Sequence, residues 1–419
     1  MAKVLVAFCN GLLRYQEEND YRIPIFFETF IKGLLKQGND VLMFQHRAFN
    51  TKFPDISIDM KDEIQAFEPD LCVLFNNAFF DLTRVVECPI LIYAADTPIF
   101  FSNKYLLTER GNDFFFALRE DSEIDYVTEN YNVSSEKIMK ITSFTEVRNK
   151  ELKKERNISF IGTKFSAPEA GNRLMSLCIG ASAEKREKIR GVLNTLCKNP
   201  FYSDQDISNL YPELEFYNNG VSVQGLVALL SGEKRIHILS CIKDLGLELF
   251  GKKDWLDDYY YDTELMLCFN DRDVVTLRDN EEIYNTSKIG ISIAHTQATY
   301  GFPWRVMDIM GSSALLISDY HVGINDCFQG VEIPMYKDMF QARDLCKYYL
   351  EHEKERRDIV LECNKIIESK YRLINLLQLI GQNLDIKLLN NKKAGTIKTL
   401  FVDQCTYEYK EYICNEWAL

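Results

Sequence analysis

Short apolar runs alternate with amphipathic segments along residues 1–150, and few folds accommodate such an alternation. Between the first two runs, apolar residues recur at helical spacing from Ile23 to Leu35, and Gly38 ends the pattern. Strands that alternate with helices in this way form a parallel sheet with helices on both faces. The sequence therefore predicts an α/β, Rossmann-like, doubly wound lobe over residues 1–150, with strands at 4–8, 41–44, 71–75, 90–93, 114–118, 126–128 and 138–140.

A charged stretch at 148–156 separates this lobe from a second series of apolar runs. Residues 169–243 carry apolar stripes at helical spacing, and a long helical pattern occupies 342–384. We interpret 151–385 as a second Rossmann-like lobe with a helical insertion at about 169–243, and 386–419 as a C-terminal tail. The strands predicted for the second lobe are 158–161, 247–250, 274–276, 289–293 and 314–317.

The charge balance and the cysteines limit the partners and the compartment. With 49 lysines and arginines against 62 acidic residues, the net charge is −13, and such a field repels nucleic acid. The 12 cysteines form no C-x-x-C pair, which favours reduced thiols in the cytoplasm. No run approaches the ~20 apolar residues that span a bilayer, and the N-terminus does not read as a signal peptide. We expect a cytoplasmic protein without a transmembrane segment, with peripheral contact at the inner face of the membrane left open.

Residues 289–320 are the most informative segment for function. A buried strand ends shortly before His295, a polar loop follows, and Pro303 stands where the first turn of a helix would begin. In an open α/β sheet, ligands bind beyond the carboxyl ends of the strands, where the next helix presents free amides. The segment therefore predicts a binding site for an anion such as a diphosphate.

Arg305 and Asp308 are three residues apart and share one face of this predicted helix. An arginine near the helix start suits a phosphate, and a carboxylate one turn later can accept hydrogen bonds from the two hydroxyls of a ribose. The alternative is a local surface ion pair worth less than about 1 kcal/mol. The spacing alone leaves both interpretations open.

The run at 301–320, GFPWRVMDIMGSSALLISDY, resembles the C-terminal signature of glycosyltransferases of the spore-maturation CgeB-like group, within the glycosyl transferase family 1-like proteins. That signature reads approximately G-x-x-x-R-x-[FL]-[ED]-I-x-x-[SG]-G-x-x-L-L-x-x-Y. Three further pieces follow the family in order, namely NISFIGTK at 157–164, LGLELFGKKDW at 245–255 and EEIYNTSKIGISI at 281–293. The resemblance covers about 155–385, and the N-terminal lobe resembles the family only in architecture.

This resemblance implies a GT-B glycosyltransferase with two Rossmann-like lobes facing a cleft, in which the C-terminal lobe binds the nucleotide-sugar and the N-terminal lobe serves the acceptor. By residue, it implies that Asp308 binds the donor ribose and that Arg305 and Lys164 bind the diphosphate. Gly301, which opens the motif, and His295, at the strand end, join them as candidate donor-binding residues. One position departs from the larger retaining group, because Tyr300 stands where that group has a second glutamate. The double-glutamate mechanism is therefore not expected.

The implied reaction needs placement and charge rather than a metal or another cofactor. Negative charge develops on the departing diphosphate, where Arg305 and Lys164 could stabilise it. If the enzyme inverts the anomeric centre, a base in the N-terminal lobe must take the proton of the acceptor hydroxyl. Asp96, after the strand at 90–93, is the first candidate for this base, although it could instead only cap its turn, and His46 is the second. The D-x-D sequence at 271–273 is not expected to bind a metal, because such patterns are common in an acidic chain.

The function predicted on these grounds is transfer of a sugar from a UDP-sugar to a glycan or glycolipid acceptor, in surface polysaccharide synthesis. Two other functions fit a similar fold. A nucleotide-sugar epimerase would need clustered carboxylates and histidines around the sugar, and only His295 is obvious. A non-catalytic nucleotide-sugar-binding protein would keep the fold without the chemistry.

Overall fold

The computed structural model describes residues 1–9, 23–46, 58–76, 80–101, 104–198, 202, 204–216, 219–258, 262–298, 300–390, 394–402 and 409–412. The chain divides into two compact units, each built on its own sheet. The first unit comprises Met1–Glu146, Val275–Leu277 and Lys370–Leu419. The second comprises Val147–Val274 and Arg278–Ser369.

The sheet of the first unit has eight strands within the described residues, in the order β13-β12-β2-β1-β3-β4-β5-β6. Neighbouring strands are parallel except for β13, which runs antiparallel to β12. The strand order reverses between β1 and β3, so this is a doubly wound sheet. The strands are β1 (Lys3–Cys9), β2 (Asp40–His46), β3 (Leu71–Phe75), β4 (Ile90–Tyr93), β5 (Phe115–Leu118), β6 (Ile138–Lys140), β12 (Ile397–Val402) and β13 (Tyr409–Tyr412).

Helices cover both faces of this sheet because successive strand residues point to opposite sides. Leu5 and Leu42 face one apolar cluster, whereas Val4 and Val41 face the other. The helices of this unit are α1 (Ile25–Lys36), α2 (Ile58–Phe67), α3 (Lys104–Arg110), α4 (Asp121–Tyr131) and α15 (Leu373–Leu384). The segment 126–128, predicted to be extended, lies inside α4, where the buried side chains of Glu123, Val127 and Tyr131 recur every fourth residue.

The end of the chain returns to the first unit, which differs from the predicted boundaries of 385 for the second lobe and 386–419 for a separate tail. Two contacts account for the difference. Strand β12 pairs in parallel with β2, which extends the sheet. Helix α15 packs its apolar stripe in the same cluster as α1, where Gly33 leaves no room for a side chain beside Leu373. Helix α15 and strand β12 thus complete the N-terminal sheet and the layer that covers it.

The second unit has a five-stranded, fully parallel sheet in its described part, in the order β11-β10-β9-β7-β8. The order reverses between β7 and β9, so this sheet has a topological switch point of its own. Its strands are β7 (Arg156–Ile161), β8 (Leu247–Phe250), β9 (Ser287–Ser292), β10 (Leu315–Asp319) and β11 (Met335–Tyr336). The strand predicted at 274–276 is not formed, and these residues lead into the next helix.

The helices of the second unit include a bundle that precedes β8 and encloses an apolar cluster of its own. Helix α8 (Val223–Ile242) joins this bundle to the sheet, because Leu226 faces the bundle while Leu239 faces the sheet. No helix of the described chain is both long enough and apolar enough to cross a bilayer. The other helices are α5 (Pro168–Cys178), α6 (Ala183–Lys198), α7 (Asp204–Leu210), α9 (Thr263–Met266), α10 (Leu277–Thr286), α11 (Arg305–Gly311), α12 (Val322–Cys327), α13 (Met339–Glu351) and α14 (Glu353–Lys370).

Candidate functional site

The candidate site lies where β7 and β9 end side by side, at the switch point of the second sheet. The segment 162–165 follows β7, and the segment 293–296 follows β9. Because the two strands lead to helices on different faces, the loops beyond their carboxyl ends diverge and leave a crevice. Some of the described side chains around this crevice were proposed as donor-binding residues from the sequence, and others were not.

Three hydrogen bonds, one accepted and two donated by residues 162–165, hold the turn after β7. The Trp255 indole Nε1 donates to the carbonyl oxygen of Gly162 at 2.9 Å, and the Gly162 amide donates to Phe250 at 2.9 Å. Lys164 is buried, and its Nζ donates to the carbonyl oxygen of Asp254 at 3.2 Å. Phe165 has a φ of 63°, which is uncommon for a residue with a side chain. The predicted phosphate ligand Lys164 is thus at the crevice but engaged with backbone.

Arg305 is the first residue of α11 and lies against this turn. Its guanidinium carbon is 5.1 Å from the centre of the Phe160 ring, and a Cβ at Gly162 would come within 2.7 Å of Nη2. Nη1 is buried without a hydrogen-bond partner in the described part of the protein. A buried polar atom without a partner is costly, and an unseen water or ligand commonly explains it. Arg305 therefore presents an unpartnered guanidinium nitrogen next to the turn 162–165, and its diphosphate-binding role stays a prediction.

Asp308 is buried, whereas a carboxylate that binds a ribose must be accessible to the ligand. It is 1% exposed, and its Oδ2 accepts a hydrogen bond from Asn280 Nδ2 at 3.1 Å. This contact fixes α11 against α10. Because the carboxylate is almost fully buried, a ribose can reach it only if neighbouring groups move, so the ribose role stays a prediction.

Further unpartnered polar atoms lie on α10 beside Asp308. Neither the Tyr284 hydroxyl nor the Asn280 Oδ1 has a hydrogen-bond partner among the described residues. Burial raises the pKa of Tyr284, and the charges of Arg305 and Asp308 both act on this hydroxyl. Unsatisfied donors and acceptors thus cluster around both members of the motif pair, as expected of a site that binds a polar ligand.

His295 follows β9 and faces the same turn. Its ring lies edge-on to Phe165, with centroids 4.5 Å apart, and its Nδ1 accepts a hydrogen bond from the Gln297 amide at 3.2 Å. Burial, with the positive charges of Arg235 and Lys234, lowers the pKa of His295 to about 4. The imidazole is therefore neutral at pH 7, and because Nδ1 accepts, Nε2 carries the proton and can donate to a ligand.

We expect acidification from about pH 6.5 to about pH 4 to destabilise the protein partly through His295. In that window the unfolded chain binds a proton on this residue that the folded chain does not, so stability falls as the pH falls. His295→Gln should show a smaller loss between pH 7 and pH 5 in denaturant midpoints. The exposed His237 of α8 provides the control variant His237→Gln, which should lose as much as the wild type. Equal acid losses in wild type and His295→Gln would contradict the assignment.

Two adjacent cations of α8, Lys234 and Arg235, complete the site and were not predicted. Arg235 is 1% exposed, and it donates through Nη1 to the carbonyl oxygen of Thr163 and through Nη2 to that of Ile293, the latter at 3.0 Å. Lys234 pairs with Asp319, the last residue of β10. Burial favours the neutral form of Asp319, but His321, whose Nε2 lies 3.2 Å from the carboxylate Oδ2, and the Lys234 ammonium hold its pKa below the usual range.

The other predicted residues lie as follows. Gly301 is half-buried in the loop between β9 and α11. In the first unit, Asp96 follows β4 and forms a reciprocal pair with Asn76, which follows β3. Asn76 Nδ2 donates to Asp96 Oδ2 at 2.8 Å, and the Asp96 amide donates to Asn76 Oδ1 at 2.7 Å. His46 is the last residue of β2, and its side chain lies outside the described residues.

The described residues contain no group of three or more His, Cys, Asp or Glu side chains that could hold a metal ion. In the D-x-D sequence, the central Arg272 is ion-paired with Asp279 at 3.1 Å and with Glu282 at 2.9 Å. That segment therefore serves a surface ion-pair network.

Residues 235–380 match the family model described as glycosyl transferase-like. The chain is also similar to two crystal structures of Alr3699/HepE from Anabaena, one in complex with UDP and glucose and one with UDP-glucose. Identity is 11% and 10%, respectively, the TM-score is 0.50 for both, and the alignments cover 92% of this chain and 100% of the other. No curated protein sequence matches the chain. The two parallel-sheet lobes and these neighbours confirm the predicted GT-B fold, and most of the glycosyl transferase-like region lies in the second unit.

Proposed function

We propose that the protein is a glycosyltransferase that moves a sugar from a nucleotide-diphosphate donor, by default a UDP-sugar, to a glycan or glycolipid acceptor. The observation that carries this proposal is the Arg305 guanidinium, whose Nη1 is unpartnered within the described residues beside Gly162 at the switch point. The glycosyl transferase-like match includes both Arg235 and Arg305. The neighbours crystallised with UDP and UDP-glucose support the choice of donor.

The charges around the crevice fit an anionic ligand. Four basic side chains surround it, namely Lys164, Lys234, Arg235 and Arg305. The buried carboxylate of Asp319 already contacts Lys234 and His321. Burial lowers the pKa of Arg305, which shows that desolvation of this cation outweighs the attraction of Tyr284, Asp319 and Asp308. A bound diphosphate would supply a negative countercharge to Arg235 and Arg305, each of which has a buried nitrogen without a partner among the described residues.

The chemistry of transfer follows from this placement. An oxygen of the acceptor hydroxyl attacks the anomeric carbon, the bond to the diphosphate oxygen breaks, and the bonding electrons leave with the diphosphate. Arg305 stabilises that growing charge, and His295 Nε2 can donate a hydrogen bond to the phosphate or the sugar. For an inverting reaction, Asp96 takes the hydroxyl proton. The reaction as proposed requires no metal, and the motif at 301–320 favours a CgeB-like enzyme of surface polysaccharide synthesis.

Incubation with a panel of nucleotide-sugars, with and without glycan acceptors and with EDTA in parallel, tests the proposal. We expect free nucleoside diphosphate to be released in proportion to glycosylated acceptor, with no loss in EDTA. An isomerised sugar would instead identify an epimerase, and binding without turnover would identify a non-catalytic nucleotide-sugar-binding protein. Binding of UDP to Asp308→Asn in the same series tests the ribose contact, because unchanged affinity would leave Asp308 only the role of holding Asn280.

A further inference from the structure

Arg235 ties together the two strand ends that define the crevice. Its Nη1 donates to the Thr163 carbonyl oxygen beyond β7, and its Nη2 donates to the Ile293 carbonyl oxygen beyond β9. Both groups are uncharged, and Arg235 makes no ion pair with a carboxylate within the described residues. Its Nε is also buried without a partner in that part of the chain. A buried cation whose hydrogen-bond partners are all neutral is costly, and the more distant charge of Asp319 offsets this cost only in part, so the site retains a net positive charge.

The same guanidinium supports the unusual backbone of Phe165. Its carbon lies 4.0 Å from the centre of the Phe165 ring and 5.4 Å from that of Phe160, so the cation packs against both rings. Phe165 has a left-handed φ of 63°, a conformation that costs free energy for a residue with a side chain and tends to occur at functional sites. The stacking offsets part of this cost and holds the Phe165 ring against His295.

We propose that Arg235 is a positioning residue for the anionic part of the ligand. It holds the turn 162–165 beside the end of β9 and places a positive charge beneath the crevice. Because Arg235 is 1% exposed, a ligand in the crevice contacts the turn and Arg305, and Arg235 acts on it through them. This inference rests on the proposed donor site and adds a residue to it that the sequence motif does not contain.

Inorganic pyrophosphate is the direct probe, because its binding requires neither a sugar nor an acceptor. The variants are Arg235→Met, which removes the charge, and Arg235→Lys, which keeps the charge but cannot bridge two carbonyls as a planar fork. Arg343→Met is the matched control, because Arg343 also donates to a carbonyl of α8, at Cys241 near the other end of the helix, and pairs with Asp244.

We expect the pyrophosphate dissociation constant, measured by calorimetry, to rise about ten- to hundredfold in Arg235→Met, to rise less in Arg235→Lys, and to stay unchanged in Arg343→Met. The second readout is the His295 ring resonance in NMR titration. Arg235→Met should raise the pKa of His295, because the positive charge of Arg235 helps to lower it, and Arg343→Met should not. A purely structural role would reduce stability without changing the pyrophosphate affinity.

The outcomes separate this inference from the proposed function. Equal pyrophosphate affinity in wild type and Arg235→Met overturns the inference, whatever the protein transfers. If Arg235→Met does not fold, unchanged pyrophosphate affinity in Arg235→Lys overturns the inference equally. Arg235-dependent pyrophosphate binding without transfer from any nucleotide-sugar would contradict the transferase and leave the inference standing. A wild-type protein that does not bind pyrophosphate overturns both.

Discussion

Arg305→Gln is expected to reduce the rate of sugar transfer by about 10²- to 10³-fold, which corresponds to about 3 kcal/mol of transition-state stabilisation. Glutamine keeps a polar side chain at the start of α11 but removes the charge beside Gly162. The loss should appear mainly in kcat, because the charge on the diphosphate grows as its bond to the sugar breaks. Initial rates of nucleoside diphosphate release over a range of donor concentrations measure this split.

Arg156→Gln is the matched control for this prediction. Arg156 is also a largely buried arginine that lies over an aromatic ring, 5.7 Å from the centre of Phe250, but it stands at the amino end of β7 and pairs with Glu248. We expect this variant to lose stability and to retain its turnover number. A turnover number of Arg305→Gln within about threefold of wild type would remove Arg305 from the transfer step, since such a ratio is worth less than about 1 kcal/mol.

The positions of the central strands could be predicted from the sequence because strands buried on both faces need continuous apolar runs. The run predicted at 71–75 is β3 without any shift, and the run predicted at 90–93 is β4. The same reasoning placed Asp96 and His295 just beyond strand ends, where the structure has them. The start of a helix can also be predicted from nearby residues, here from Pro303. Helix α11 begins at Arg305, within a residue or two of the expected start.

Lys234 and Arg235 could not be found in this way. Cations on a helix ordinarily face solvent, and helical spacing does not tell which strand ends a helix approaches. A weak signal was present one turn earlier, in the small residues Ser231 and Gly232. A Cβ at Gly232 would come within 3.0 Å of the Phe165 carbonyl oxygen, so this glycine permits the close approach of α8 to the turn. Small residues before a buried cation can thus mark a helix that touches backbone.

The strand with which β12 pairs could not be predicted from the sequence either. The sequence of a six-residue strand such as β12 does not identify the neighbouring strand with which it pairs, because the pairing hydrogen bonds come from the backbone. Its pairing with β2 depends on the preceding α15, which packs beside α1 and delivers the chain to that sheet edge. The burial of Asp308 was missed for the same reason, since Asn280 is distant in sequence and reaches it only through the packing of α10.

Asp96→Asn is expected to slow transfer by about 10²- to 10⁴-fold while donor binding stays nearly unchanged, if the enzyme inverts the anomeric centre. Asparagine is isosteric, and its side-chain oxygen can still accept the hydrogen bond from Asn76 Nδ2 at the position that Oδ2 occupies at 2.8 Å. The backbone bond from residue 96 to Asn76 Oδ1 does not involve the substituted side chain. The variant therefore removes the base and keeps both hydrogen bonds with Asn76, so a loss of rate reports on proton transfer.

Asp70→Asn separates this effect from the loss of any carboxylate on the same sheet. Asp70 precedes β3, and its Oδ2 accepts a hydrogen bond from the Lys3 amide at 2.8 Å, at the amino edge away from Asp96. Transfer rates should match wild type in Asp70→Asn, whereas they should fall about 10²- to 10⁴-fold in Asp96→Asn, which lacks the base. Full activity in Asp96→Asn would contradict the catalytic role. Asp96 would then only stabilise its turn, which an amide side chain does equally well.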